Sequence, residues 1–590
     1  MAGVEKESLS PARHAGSSEG PHGAGAPSGP QKRPKAWVVT AGAAAAALAI
    51  GLAFLFPVPG PLPMDDSYIH VVYGENLAHY CRLEFNVGEF AGIGSTSILW
   101  VLAIAGLVKL GLGGVAAVKV LGLLSLCLTA GTLAWLLRQW IPKLVPGAPR
   151  WLVVWACMTC GLSGNLVWFG VSGMETLCFL GLALLAFALY ARRCWIAAAL
   201  AAGLAILTRL EGGAIVLSLV AVQFATNRGK RLADLKTLVL PACIITVMVL
   251  PWLVFLHANT GHWLPTSFGG KKMAHLAATA DALGRVGPLS AVAEVRPVTY
   301  VLLWVLYAGA WVFGLGYGYP PHVRVGQAIG GGGIDLWLGA AALLVVVVIP
   351  LGLVGLRAGW RGRRGLGADA VGRALVAFCL WAVLHNLEYA FLFPSLGTSS
   401  RYQAVNHIFL WALPLMGIGA LRREQLRQMA VLIMAAILGA NLLYWRGTYA
   451  ANLRHMVGVR LCAAESIAQQ PAGVRVAAFD IGALRWGSGR PITDLGGLSD
   501  ADFVEYQKAG RVGEFLRKHH VTHLAIPSPH SSEREGFFDL AGFLRLRDDP
   551  LFTIREVTRF EGPYGDWRRG AGPTFNYMPS VVIYEVQWRG

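Results

Sequence analysis

Long apolar runs separated by short polar breaks dominate the first three quarters of the chain. The first, Ala36 to Phe56, has about the length a helix needs to cross a bilayer. Further runs fall at about 95–112, 118–137, 150–170, 174–191, 195–208, 212–226, 237–257, 298–316, 334–356, 371–393, 403–420 and 427–445. Each predicts a helix. Beyond Trp445 the pattern changes. Val474 to Phe479 and Val521 to Pro527 are apolar runs of strand length, and the stretch between them, Asp500 to His520, has helical spacing. A C-terminal α/β domain over residues 446–590 follows, attached to a transmembrane region over 36–445. Residues 1–35 are rich in Gly, Ser, Pro and Ala, which predicts a disordered tail. The first apolar run is long and lacks a cleavage site, so it reads as a span and not as a signal peptide.

Composition fixes the class. The chain of 590 residues is 55% hydrophobic and 14% charged, with a mean hydropathy of +0.53. These values indicate a polytopic α-helical membrane protein. The net charge of +17 does not indicate nucleic acid, because most of the excess lies in short clusters between apolar runs. Arg138 to Arg150, Arg192/Arg193, Arg228 to Lys236, Arg357 to Arg373 and Arg422 to Arg427 all face the cytoplasm if the runs at 95–112 and 298–316 do not cross. That arrangement gives about eleven crossings plus outer juxtamembrane helices, with a cytoplasmic tail and an extracytoplasmic C-terminal domain. The expected location is the plasma (inner) membrane. Cys157 and Cys160 form a CxxC without a second ligand pair, and Gly330 to Gly333 lacks the Lys and Ser/Thr of a phosphate-binding loop.

This topology gathers polar residues on the outer side. Asp65 and Asp66 stand just past the first span, in an outer loop over 57–117. They read either as a helix cap with a dipole partner or as a catalytic pair. Glu175 opens one span, and Arg209 with Glu211 sits at a tight connection between two others. His262, Lys271 and Lys272 lie in the loop after His257, while His385, Glu388, Arg401 and Tyr402 bracket another outer turn. Ionisable groups at membrane depth usually mark a functional cavity or a buried pair. Glu175 as a helix-terminus partner, Arg209–Glu211 as a structural ion pair and His385–Glu388 as a local pair at i, i+3 all stay open.

The stretch DDSYIHVVYGENLA…EFNVGE…STSILW resembles the first outer loop of GT-C class glycosyltransferases, in the branch of mycobacterial cell-wall arabinofuranosyltransferases and related mannosyltransferases. The likeness continues in VSGMETLCF, LTRLEGG, TGHWLPTSFGGK, SSRYQAV and GALRWGSGRPITDLGGL, from about Asp65 to Leu498. EFAGIGSTS and LPTSFGGK depart from the usual forms of their loops. The resemblance implies a sugar, arabinofuranose in this branch, moved from a polyprenyl phosphate to a cell-envelope glycan, with an acidic residue of the first outer loop as base. It implies no nucleotide sugar, and a divalent cation is neither required nor ruled out by the residues.

The residues suit that chemistry. A carboxylate that takes the proton of an attacking hydroxyl assists a poor nucleophile. The phosphate leaving group needs positive charge, which Lys271 and Arg401 can supply. Asp65 is the expected base, with Asp66 orienting the acceptor or sharing the role, and one displacement inverts the anomeric carbon. A flippase of lipid-linked sugars also accounts for many spans with buried charges, but gives the outer domain no role. A membrane-anchored glycan-binding scaffold is the third reading.

Overall fold

The computed structural model describes residues 36–56, 60–226, 231–266, 344–364, 366–392, 398–528, 539–562 and 580–589. The apolar runs fold as helices: α1 (Ala36–Leu55), α2 (Asp65–Tyr80), α3 (Ile98–Lys109), α4 (Gly114–Leu144), α5 (Arg150–Thr159), α6 (Gly164–Val171), α7 (Thr176–Ala191), α8 (Trp195–Thr208), α9 (Gly213–Thr226) and α10 (Arg231–Thr260). After the next described break come α11 (Ile349–Gly362), α12 (Ala370–Phe391), α13 (Ala404–Ala420), α14 (Glu424–His455) and α15 (Cys462–Ala468). Among the described residues, five helices are long and apolar enough to cross a membrane, or six if the bent pair Arg150–Leu162 and Gly164–Val171 is one span.

The described helices therefore do not reach eleven crossings. The run at 298–316 and the start of that at 334–356 lie outside the described residues. The runs at 174–191, 195–208 and 212–226 give helices of 16, 14 and 14 residues. At 1.5 Å per residue these measure about 21–24 Å, less than the roughly 30 Å hydrocarbon core. Helix α3, at 12 residues, is shorter still.

The apolar composition ends near Trp445, but the helix does not. Helix α14 passes through Trp445 to His455, continues through the wider turn Met456–Leu461 and enters α15. The C-terminal sheet region therefore follows directly on the last long apolar helix. Its sheet holds β1 (Val476–Ala478), β2 (Ile492–Asp494), β3 (His523–Ile526), β4 (Phe552–Glu561) and β5 (Ser580–Trp588), in the order β2-β1-β3-β5-β4. Strand β1 is parallel to β2 and β3, while β5 is antiparallel to β3 and β4. The predicted strands at 474–479 and 521–527 are β1 and β3. Between β2 and β3 the predicted helical stretch breaks at Gly510, whose φ of +68° suits glycine, into Ala501–Lys508 and Val512–Lys518.

Alternation along the strands gives the sheet two apolar faces. Ala477, Leu524, Val582 and Tyr584 pack with Phe503 and Phe515 on one side. On the other side, Val476, Ala478, Ala525, Val581 and Ile583 share a core with Ile69, Val72 and Tyr73 of α2. Tyr68, Val71 and Ala78 of the same helix pack instead against Trp100, Ile104 and Val118. Helix α2 is thus wedged between the sheet and the helical bundle. Its Gly74 permits the tight crossing with α3, because a Cβ there would lie 2.4 Å from the Ile104 side chain.

Candidate active site

Asp65 and Asp66 open α2, and successive positions on a helix point about 100° apart. They go to different surroundings. Asp65 is buried, and its carboxylate accepts the N–H groups of Gly482 at 2.9 Å and Ala483 at 2.8 Å. These amides belong to the first turn of α16 (Ile481–Ser488) in the C-terminal domain. Burial pushes the Asp65 carboxyl up to about 7 and neighbouring Asp480 adds to this, while Arg460 and the two amides oppose it. Arg460 is itself fully buried and donates two N–H groups to one Asp480 oxygen, at 2.9 and 2.5 Å.

Asp66 faces the bundle. It pairs with Arg401 at 2.5 Å, and its side chain keeps 25% of its exposure. Arg401 stands in the helical turn Thr398–Gln403 that precedes α13. Its Nε and Nη1 are buried without a hydrogen-bond partner. Unpaired buried donors are costly, and a guanidinium N–H makes a strong charge-assisted hydrogen bond to an oxyanion.

Glu175, Arg209 and Glu211 form a connected network beside this pair. Arg209 donates to Glu175 at 2.6 Å, to Glu211 at 2.5 Å and to the Tyr389 hydroxyl at 2.9 Å, and its guanidinium lies 4.9 Å from the centre of the Tyr402 ring. Tyr402 stacks on Tyr389, while its carbonyl oxygen lies 2.8 Å from His385 Nε2. With that nitrogen donating, His385 Nδ1 carries the lone pair and has no hydrogen-bond partner. A small cleft opens here, lined by Arg209, Arg401, Tyr402 and His385 at its polar end and by Phe179 and Trp381 among its apolar walls.

The structure thus brings Asp66, Glu175, Arg209, Glu211, His385, Arg401 and Tyr402 together. Glu388 is one helical turn from His385, with one buried oxygen that has no hydrogen-bond partner. His262 is exposed in the turn after α10 and takes no part in this network. Lys271 and Lys272 lie outside the described residues.

His70 also belongs to this site without standing out in the sequence: its Nδ1 lies 2.9 Å from Ser95 Oγ and its Nε2 lies 3.2 Å from Glu175. The signal was its i+4 spacing from Asp66 on one helix face. The same holds for Tyr389, one residue after Glu388, and for Ser67, which donates to the Ser172 carbonyl at 2.7 Å. That bond docks the turn before α7 onto α2. Gly173, at a φ of +89°, allows the close approach, since a Cβ would lie 2.9 Å from Ser67. Two further contacts seal the outer seam. Thr266 Oγ1 lies 3.0 Å from the Ile93 carbonyl and 2.9 Å from that of Leu498, and the Asn86 amide pairs with both backbone groups of Ile492 on the edge strand β2.

Among the described residues, no group of three or more His, Cys, Asp or Glu could hold a metal ion. Asp66, Glu175 and Glu211 are instead paired with arginines. This donor set does not fit a resident divalent cation, and no step is routed through one.

Comparison with known proteins gives three findings. Residues 448–568 match a family model described as a domain of unknown function (DUF8728). No curated protein sequence matches the chain. Among solved structures, the oligosaccharyltransferase of Archaeoglobus fulgidus in its apo form is similar with a TM-score of 0.50 and 13% identity, over 84% of this chain and 70% of its own. AglB from that organism, in complex with an inhibitory peptide and a dolichol-phosphate, gives 0.49 and 12%, over 83% and 69%. ArnT from Cupriavidus metallidurans, bound to undecaprenyl phosphate, gives 0.48 and 15%, over 93% and 98%. This chain shares a fold with that apo oligosaccharyltransferase, and among the described residues five or six helices are long and apolar enough to cross a membrane.

Proposed function

We propose that the protein is a membrane glycosyltransferase that moves a sugar from a polyprenyl phosphate to a glycan acceptor of the cell envelope. By the resemblance of its outer loops, the sugar is arabinofuranose. The observation that carries the reading is the pairing of a partly exposed Asp66 with Arg401, whose other two donor groups are buried and lack hydrogen-bond partners. The donor phosphate accepts from one of the two open donors of Arg401. The acceptor hydroxyl attacks the anomeric carbon from the opposite side, its proton passes to Asp66, and the electron pair of the breaking C–O bond leaves on the phosphate. The configuration inverts.

Asp66, and not Asp65, is assigned as the base, because Asp65 is buried against the outer domain with both oxygens taken by backbone amides. A base must also be open to the acceptor. Arg401 serves both partners, so phosphate arriving at its open side draws charge away from Asp66 as the donor binds. Glu175, Arg209 and Glu211 hold this arrangement, with Tyr402 and His385 shaping the cavity. Lys271 is retained as a second phosphate contact through the resemblance of its loop. On the topology expected from the basic clusters, this chemistry lies at the outer membrane surface.

The test is transfer by purified full-length protein in detergent, using a polyprenyl-phosphate arabinofuranose and an arabinan acceptor. A new glycosidic bond without any membrane gradient is expected. Asp66→Asn should lower turnover by about 10²–10⁴-fold while donor binding persists. Movement of intact lipid-linked sugar across vesicles with no new bond would establish the flippase instead.

A further inference from the structure

We propose that the C-terminal domain sets the position of the catalytic carboxylate: the Gly482 and Ala483 amides hold Asp65, which makes Asp65 a positioning residue for Asp66. The inference rests on the assignment of Asp66 as base.

Three consecutive residues at the start of α2 bind three different bodies. Asp65 accepts two N–H groups from the C-terminal domain, Asp66 pairs with Arg401 before α13, and Ser67 donates to Ser172 before α7. One helical turn is thereby fixed from three sides, and the direction of Asp66 follows from the other two ties.

The cap on α16 comes from outside that helix. Asp480 occupies its N-cap position but makes no capping hydrogen bond, because Arg460 holds its carboxylate. Asp65 supplies the capping oxygens instead. Meanwhile the N-cap position of α2 is Met64, whose side chain makes no capping bond. Asp65, the first residue of one helix, thus caps another across the domain boundary.

The two helix starts also meet backbone to backbone. A Cβ at Gly482 would lie 2.2 Å from the Asp65 carbonyl oxygen. That contact leaves no room for a side chain at position 482. The sheet face behind α2 shares a core with Ile69, Val72 and Tyr73, so the helix is held along its length as well as at its tip. Adhesion alone would not require a buried carboxylate, since apolar packing joins the same surfaces. What the carboxylate adds is direction, because its two oxygens accept two fixed amides.

The experiment compares Asp65→Asn, Asp65→Ala and Gly482→Ala in the purified full-length protein. Misplacing a reacting group by about 1 Å costs about 10²-fold. Turnover should fall by about 10-fold for Asp65→Asn, which keeps one acceptor oxygen, and by about 100-fold for Asp65→Ala. Gly482→Ala, which leaves every site residue in place, should also lose about 10- to 100-fold. The donor KM should stay within about twofold in all three, because Arg401 is untouched. Binding of undecaprenyl phosphate, measured by native mass spectrometry, verifies that each variant is folded. Equal inactivity of Asp65→Asn and Asp65→Ala at the level of Asp66→Asn would overturn the proposal, since Asp65 would then be the base itself. Wild-type turnover in Gly482→Ala would overturn it too. Hydrogen exchange gives a readout independent of activity: Gly482→Ala should speed exchange in the first turn of α2, and unchanged exchange there counts against the proposal. If exchange rises but the wild-type protein transfers no sugar, the hold on Asp66 stands and the transferase reading falls.

Discussion

Arginines shared between carboxylates give the site its geometry. Arg209 uses its fork on Glu175 and Glu211, donates to Tyr389, and stacks near Tyr402. Removing one member of a buried ion pair strands the others, at a cost of about 3–5 kcal/mol. Arg209→Met should therefore lower the thermal unfolding midpoint in detergent and reduce folded yield. A midpoint equal to wild type would mean that these charges are solvated or paired elsewhere. Arg401 calls for a different substitution. Arg401→Lys keeps the charge but replaces a planar fork with a point donor, so the pair with Asp66 and the contact to an oxyanion can no longer be held together. Donor KM should rise by about 10-fold, roughly the loss of one charge-assisted hydrogen bond. An unchanged KM in steady-state transfer assays would remove Arg401 from donor recognition.

Helices in the bundle meet at glycines, and the tightest contacts are reciprocal. A Cβ at Gly417 of α13 would lie 1.9 Å from the Leu351 carbonyl oxygen, and one at Gly355 of α11 would lie 2.0 Å from that of Leu413. Backbone atoms cannot swing aside as a side chain can, so Gly417→Ala must push α11 and α13 apart. Overpacking of this kind costs about 1–3 kcal/mol, and the expected result is a lower unfolding midpoint. The same substitution at Gly106, which has open space around it, should leave the midpoint within error. The apolar runs predicted these helices, but the close contacts between them depend on which glycines face each other. That pairing is set by the crossing of two helices far apart in sequence, and spacing along one of them does not report it.

For the whole molecule, orientation is the testable consequence of charge. Because Arg422 to Arg427 lie at the start of α14, and basic clusters favour the cytoplasm, the helix should lead outward and carry the sheet region with it. A periplasmic-type reporter fused after Gly590 should be active; activity of a cytoplasmic reporter alone would reverse the orientation and move the site with it. The membrane class, the run of helices and the change to an α/β domain were legible because hydrophobic periodicity is a local property that the bilayer and the sheet each select directly. So was most of the candidate site, since Glu175, Arg209, Glu211, His385, Arg401 and Tyr402 are polar residues in apolar surroundings. Other features needed the third dimension. The antiparallel pairing of β4 with β5 puts charged β4 at the sheet edge. His70 and Tyr389 became visible only as partners of Glu175 and Arg209. Above all, Asp65 and Asp66 are chemically identical neighbours, and the sequence alone offers no means to separate them. Asp65 lies against amides more than 400 residues away, at Gly482 and Ala483, and Asp66 against an arginine at position 401. The turn of the helix decides which of the two meets the amides and which meets the arginine, and only the packing of distant segments around that helix gives the difference its meaning.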